Sequence, residues 1–139
     1  MVECTRLTSC DLYFIDVDQD YELGFDDWLT GLTNESTMLA LIAEIDANPA
    51  GSIIANESAP VLPFSKVKRV GEIIMCWVEP DVRKKSVAGA LVSVVESWCS
   101  ERGLEHIELN YIVGNNEAEA VWERLGYKPF RITSRKTLD

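Results

Sequence analysis

Residues 70–101, "VGEIIMCWVEPDVRKKSVAGALVSVVESWCSE", limit the possible folds more than any other stretch. "VGEIIMCWV" is too short and too rich in β-branched and aromatic residues for a helix, and reads as a buried strand that Pro80 ends. From Ser86 onward Val87, Leu91, Val94, Val95 and Trp98 recur at helical spacing, and Gly103 supplies the stop. A buried strand, a tight turn and an amphipathic helix demand a sheet with a helix lying on its face. The turn carries Arg83, Lys84 and Lys85 straight into a helix N-terminus, where the dipole is already positive and a chain usually prefers Asp or Glu. An anion bound there would resolve the conflict. The first-turn amides lack intrahelical acceptors, the small residues Ser86, Ala88 and Gly89 let a diphosphate approach the backbone, and the cations add charge-assisted bonds. The same residues also fit a solvated basic turn whose small side chains serve helix–sheet packing.

The rest of the chain supplies the neighbours of this unit. "TMLALIAEID", "ANPA" and "GSIIA" read as a hairpin with an Asn-Pro turn, and "NESAPVLPFSKVK" as a loop. "HIELNYIV" is a further strand, and "NNEAEAVWERLG" a compact helix in which Asn116 and Glu119 suggest a capping box and Gly126 the stop. "YKPFRITSRKTL" offers one or two closing strands, "VECTRLTSC" a first strand, and "DLYFIDVDQD" and "FDDWLTGL" short helices. The order is strands, then strand–helix–strand–helix–strand: one α/β or α+β domain over residues 1–139 with a mixed, mostly antiparallel sheet flanked by helices.

Charge is uneven along the chain. Residues 1–65 hold 12 acids and one base (Arg6), whereas residues 66–139 hold 11 acids and 12 bases. The overall charge of −10 argues against nucleic acid as a partner. The acidic half either serves solubility or attracts a cationic substrate. No apolar run is long enough to span a bilayer, and "MVECTRLTSC" has no signal-peptide pattern. Cys4, Cys10, Cys76 and Cys99 lack metal-ligand spacing, and the single His106 does little to help them. They read as reduced thiols of a cytoplasmic protein with no metal.

Two motifs at their separation carry a family resemblance. Arg83-Lys84-Lys85-Ser86-Val87-Ala88 stands where the GNAT superfamily of N-acetyltransferases writes Arg/Gln-x-x-Gly-x-Gly/Ala, and Asn115, Ala118, Trp122, Gly126 and Tyr127 match its Asn-x-x-Ala-x-x-x-aromatic-x-x-x-Gly-aromatic pattern. The chain resembles that family well over residues 37–139 and weakly over 1–36. The resemblance implies a GNAT-like acyl-CoA acyltransferase fold, acetyl-CoA as co-substrate and acyl transfer to an amine. It implies that backbone groups of Cys76, Trp77 and Val78 pair with the pantetheine arm. Arg83, Lys84, Lys85, Ser86, Val87, Ala88 and Gly89 would hold the pyrophosphate, with Asn115 on the far side of the arm. Ser86 replaces the first glycine of the turn, so it is expected to avoid the positive φ that glycine would allow.

The reaction needs a neutral amine, because an ammonium has no lone pair, and a carboxylate can take the proton directly or through water. Glu72 is the leading base. Alternation is expected to put it on the same face as Ile74, Cys76 and Val78, and "EIIMCWV" resembles the strand that carries the base in the histone-acetylating branch of the family. Glu79 and Glu108 are weaker candidates, and Glu72 also reads as a glutamate at a strand's solvent end. The Val78 N–H is a candidate donor to the developing oxyanion. Many family members place a tyrosine acid where this chain has Trp122. Indole cannot protonate a thiolate, but a thiol pKa of about 8.5 makes the anion a tolerable leaving group. Trp122 therefore reads as packing, and the acid is unassigned. The acceptor implied is a cationic amine: a protein lysine or N-terminus, a polyamine or an aminoglycoside. The alternative is a GNAT-like module that binds CoA or protein without catalysis. A C-terminal edge strand could pair two copies.

Overall fold

The computed structural model describes residues 36–138 and, before them, residues 24, 26–28, 30 and 31. Those earlier positions are helical, in keeping with the helix expected over "FDDWLTGL". The elements expected over "VECTRLTSC" and "DLYFIDVDQD" lie outside the described residues. Strands β1 (Met38–Ile45), β2 (Asn48–Ser58), β3 (Val70–Val78) and β4 (Ile107–Leu109) form one sheet in the order β1-β2-β3-β4. The first three are antiparallel and β4 runs parallel to β3. The crossover is helix α1 (Val87–Glu101), and helix α2 (Asn116–Arg124) follows β4.

The hairpin exists, but its turn is not Asn-Pro. Asp46 and Ala47 form it with φ of 51° and 62°, because a two-residue loop with positive φ at both central positions matches the right-handed twist of the strands. Asn48 and Pro49 instead open β2, where Asn48 Nδ2 donates to the Asp46 carbonyl at 3.1 Å. Pro49 sits beside a bulge at Ala50, a position where its missing N–H costs little.

One face of the sheet meets α1. Ile53, Ala55 and Ile73 pack there against Val87, Leu91, Val92, Val95 and Cys99, with Leu39 and Leu41 of β1 at the border. Val92 and Cys99 thus take core places, whereas Val94 is 49% exposed. Burying each such aliphatic side chain contributes about 1.5–3 kcal/mol before entropy is charged. Gly103 and Gly126, at φ of 73° and 93°, close the two helices. Leu104 N–H donates to the Cys99 carbonyl and Tyr127 N–H to that of Trp122, the 6→1 bonds of a Schellman end.

From residue 128 to 138 the chain carries no strand, contrary to the closing strands expected from "YKPFRITSRKTL". A strand needs a neighbour to complete its ladder, and β4 is only three residues long. Phe130, Ile132 and Leu138 are accordingly exposed.

Candidate active site

The site begins with a bulge. In β2–β3 the register steps from Met75↔Ile54 to Ile73↔Ala55, leaving Ile74 as the extra residue. A bulge bends its strand and reverses the alternation beyond it. Pairing with β4 stops at the same place: the last partners are Ile73 and Leu109, while β3 runs on to Val78. β4 ends at Leu109, so from Ile74 to Val78 the edge of β3 away from β2 has no strand paired to it and borders a gap in the ladder.

Alternation assigns which groups face it. Glu79 N–H donates to the Ala50 carbonyl, towards β2. Two residues back, the backbone of Trp77 points to β2 as well, so the groups of Cys76 and Val78 point the other way. Trp77 was expected to offer its backbone to the pantetheine arm alongside them; the reversal turns it away.

The bulge also corrects the placing of Glu72. Gly71 and Ile73 face α1 on one side of the bulge, and Cys76 and Val78 do so on the other. Glu72 thus lies on the opposite face from Cys76 and Val78, beside Asn56 of β2 and Glu108 of β4, its register partners.

After Val78 a 3₁₀ turn over Pro80–Val82 leads to the cations. Arg83 is only 27% exposed in its side chain. Its Nε donates to the Val78 carbonyl at 3.0 Å, its guanidinium lies 4.8 Å from the Trp77 ring centroid, and Nη1 meets Glu117 of α2 at 3.3 Å. Arg83 thus braces the strand end against α2, whereas Lys84 and Lys85 project into solvent. Nothing in the sequence signalled Glu117 as its partner.

Ser86 does not avoid positive φ. It is the N-cap of α1 at φ 63°, ψ 16°, and Lys84 stands at φ 64°. Each left-handed non-glycine residue costs roughly 1–2 kcal/mol. Ser86 makes no side-chain capping bond, so the amides of Val87, Ala88 and Gly89 stand at a helix start without an intrahelical acceptor.

Across the gap, Asn115 rather than Asn116 caps α2: its Oδ1 accepts from Ala118 N–H at 3.1 Å. Trp122 is buried in the core and meets Tyr127 edge-on, with centroids 5.5 Å apart, in agreement with a packing role. Tyr127 donates to Glu96 at 3.2 Å. Burial first, then the Glu96 charge, push the acidity of the Tyr127 phenol down and its pKa up. Burial, with Glu119 and Glu123, does the same to Tyr111. Cys76 and Cys99 form no disulfide, and the described residues contain no group of three metal-ligating side chains.

An unpaired edge of β3 thus leads into a cationic turn and a helix start with free amides. The Acetyltransferase (GNAT) family profile matches residues 1–127, and the chain belongs to that family. The acetyl transferase GW6a of Oryza sativa subsp. japonica is 36% identical over 70 residues, which make up 50% of this chain and 16% of the rice protein. Among solved structures, an aminoglycoside antibiotic 6'-N-acetyltransferase from Acinetobacter haemolyticus superposes with a TM-score of 0.73 at 20% identity, covering 89% of this chain and 87% of that one. A second aminoglycoside N-acetyltransferase, solved with the bisubstrate analogue CoA-S-monomethyl-acetylneamine, gives 0.70 at 20% identity, covering 87% and 82%. These likenesses fix the fold.

Proposed function

We propose that the chain is one N-acetyltransferase domain that moves an acetyl group from acetyl-CoA to a primary amine of a cationic acceptor by direct attack. The observation that carries this reading is the end of the β3–β4 pairing at the Ile74 bulge, which leaves the rest of β3 with an open edge just before the cationic turn. Acetyl-CoA fits what is there: a long amide-bearing arm for the backbone of Cys76 and Val78, and a diphosphate for the turn. When bound it supplies an activated acyl thioester.

Each residue then has one task. Lys84, Lys85 and the amides from Ser86 to Gly89 hold the phosphates, and Arg83 keeps the turn against the strand. The Val78 N–H, aimed into the gap, donates to the oxygen that becomes negative. Glu72, on the face away from α1, takes the proton that the acceptor ammonium must lose. A thiol pKa of about 8.5 lets the thiolate leave without an assigned acid. Reduced Cys76 and Cys99 suit a cytoplasmic setting. The cationic acceptor agrees with the acidic N-terminal half and with the aminoglycoside enzymes that share the fold.

Calorimetric titration tests the reading. Wild-type protein should bind acetyl-CoA, and the double substitution Lys84→Glu with Lys85→Glu should weaken binding at least tenfold, as loss of charge-assisted bonds predicts. Glu72→Gln should keep that affinity while kcat falls about a hundredfold or more. No heat with the wild-type protein would sink the proposal.

A further inference from the structure

We infer that Glu117 is a positioning residue for acyl transfer: acting through Arg83, it fixes the end of β3 that aims the Val78 N–H into the gap. This rests on the acetyltransferase reading and on that N–H as the donor to the developing oxyanion. Val78 turns its backbone groups away from β2, and its carbonyl accepts from Arg83 Nε at 3.0 Å. The N–H at the other end of the same peptide belongs to Glu79 and donates to the Ala50 carbonyl at 2.9 Å. The Val78–Glu79 peptide is thus held from both sides, by β2 and by one arginine. A peptide is planar, so bonds at both its ends fix its orientation. The preceding peptide, which carries the Val78 N–H, is joined to it at a single Cα.

What holds Arg83 decides whether the peptide stays in place. Its guanidinium lies over the Trp77 ring, whose indole N–H donates to Glu79 at 3.3 Å. Trp77 and Glu79 belong to the same strand end and move with it. Glu117 is different. Arg83 Nη1 lies 3.3 and 3.5 Å from its two carboxylate oxygens, and it stands in the first turn of α2, a helix anchored by the Asn115 cap and the buried Trp122. Glu117 therefore ties Arg83 to a support outside β3. The planar fork of a guanidinium serves the Val78 carbonyl through Nε and Glu117 through Nη1, a division that a lysine cannot copy. The carboxylate has a cost, because a negative charge beside a turn that holds phosphates repels them. At 64% exposure it contributes little to the fold. Its effect lies in aim: without it the guanidinium is free to swing to the phosphates and release the Val78 carbonyl.

The test uses the whole chain with Glu117→Gln, Glu117→Asp and Arg83→Lys. Without cofactor, amide exchange at Glu79, followed by NMR, should be about threefold faster in Glu117→Gln than in wild type, the scale of one exposed ion pair. The thermal midpoint should stay the same, so loss of fold does not mimic the result. With acetyl-CoA carrying carbon-13 in its carbonyl, the bound carbonyl of the wild type should resonate downfield of the free cofactor, because an aimed donor polarises it. Glu117→Gln and Arg83→Lys should lose most of that displacement, and Glu117→Asp should recover part of it. Calorimetric affinity for acetyl-CoA should fall about threefold in Glu117→Gln, although a negative charge has gone. Tighter binding would make Glu117 a simple repulsion and overturns the inference. So does an unchanged Glu79 exchange rate, or a bound carbonyl that stands in the same place in Glu117→Gln and wild type; each leaves the acetyltransferase reading standing. A wild-type protein that does not bind acetyl-CoA overturns both.

Discussion

Gly71 shows how one residue joins sheet and helix. A Cβ built there would lie 2.5 Å from Cys99 Sγ and 3.4 Å from Ile107 Cγ1. Cys99 is 1% exposed and its thiol has no room to retreat; burial also pushes its pKa up and keeps it protonated. Gly71→Ala should therefore destabilise the protein by about 1–3 kcal/mol through overpacking, measured as a lower urea midpoint. Adding Cys99→Ala should restore part of the loss, because the sulfur is the obstacle. The same close contact holds β3 against α1 just before the bulge, so Glu72 and the gap after Ile74 share one anchor.

At the scale of elements, turn and caps set the geometry more than propensity does. Helix α2 starts where Asn115 bonds back to Ala118, with Glu117 and Glu119 in its first turn favouring the dipole. Asn115→Ala should cost about 1 kcal/mol, visible as faster amide exchange at residues 116–119 than in α1. Since Glu117 braces Arg83, fraying there should also loosen the cationic turn, and acetyl-CoA affinity should drop in the same variant. The elements themselves were legible in the sequence because their signals are local: β-branched runs for β2 and β3, helical spacing for α1, Gly103 and Gly126 as stops. The Asp46–Ala47 turn was not, since Asn-Pro is the stronger turn signal and only pairing with β1 put those residues inside a strand. The closing strands failed for the same reason in reverse: alternation in "YKPFRITSRKTL" cannot supply a partner.

Across the whole molecule, Glu57 links three elements. Its carboxylate accepts from Arg69, at the entry to β3, and from Arg102 Nε at 2.9 Å, at the end of α1, while Arg69 Nη2 donates to the Arg102 carbonyl at 3.2 Å. The bond from Arg102 holds the Glu57 carboxyl below its ordinary 4.5, with Arg69 assisting. A depressed carboxylate contributes stability that is complete above the unfolded pKa and is lost as pH falls through the folded one. Unfolding free energy should thus decline as pH drops below about 4.5. Glu57→Gln should flatten that part of the profile while leaving the slope above pH 6 unchanged, as followed by urea denaturation at successive pH values.

By itself the sequence determined the class of fold, the strand–turn–helix with its cationic turn and the helix that follows it. These depend on the order and spacing of neighbouring residues, and such information survives in one dimension. Tertiary structure alone decided which face Glu72 occupies, that Trp77 turns its backbone to β2, and that Arg83 serves as a brace while Lys84 and Lys85 face the solvent. A single extra residue at Ile74 reverses every later side chain, and whether it is extra depends on the strand beside it. The left-handed Ser86 belongs here too. A serine tolerates that conformation when the strand before it and the helix after it are both held against one sheet, and neither constraint is written in the turn.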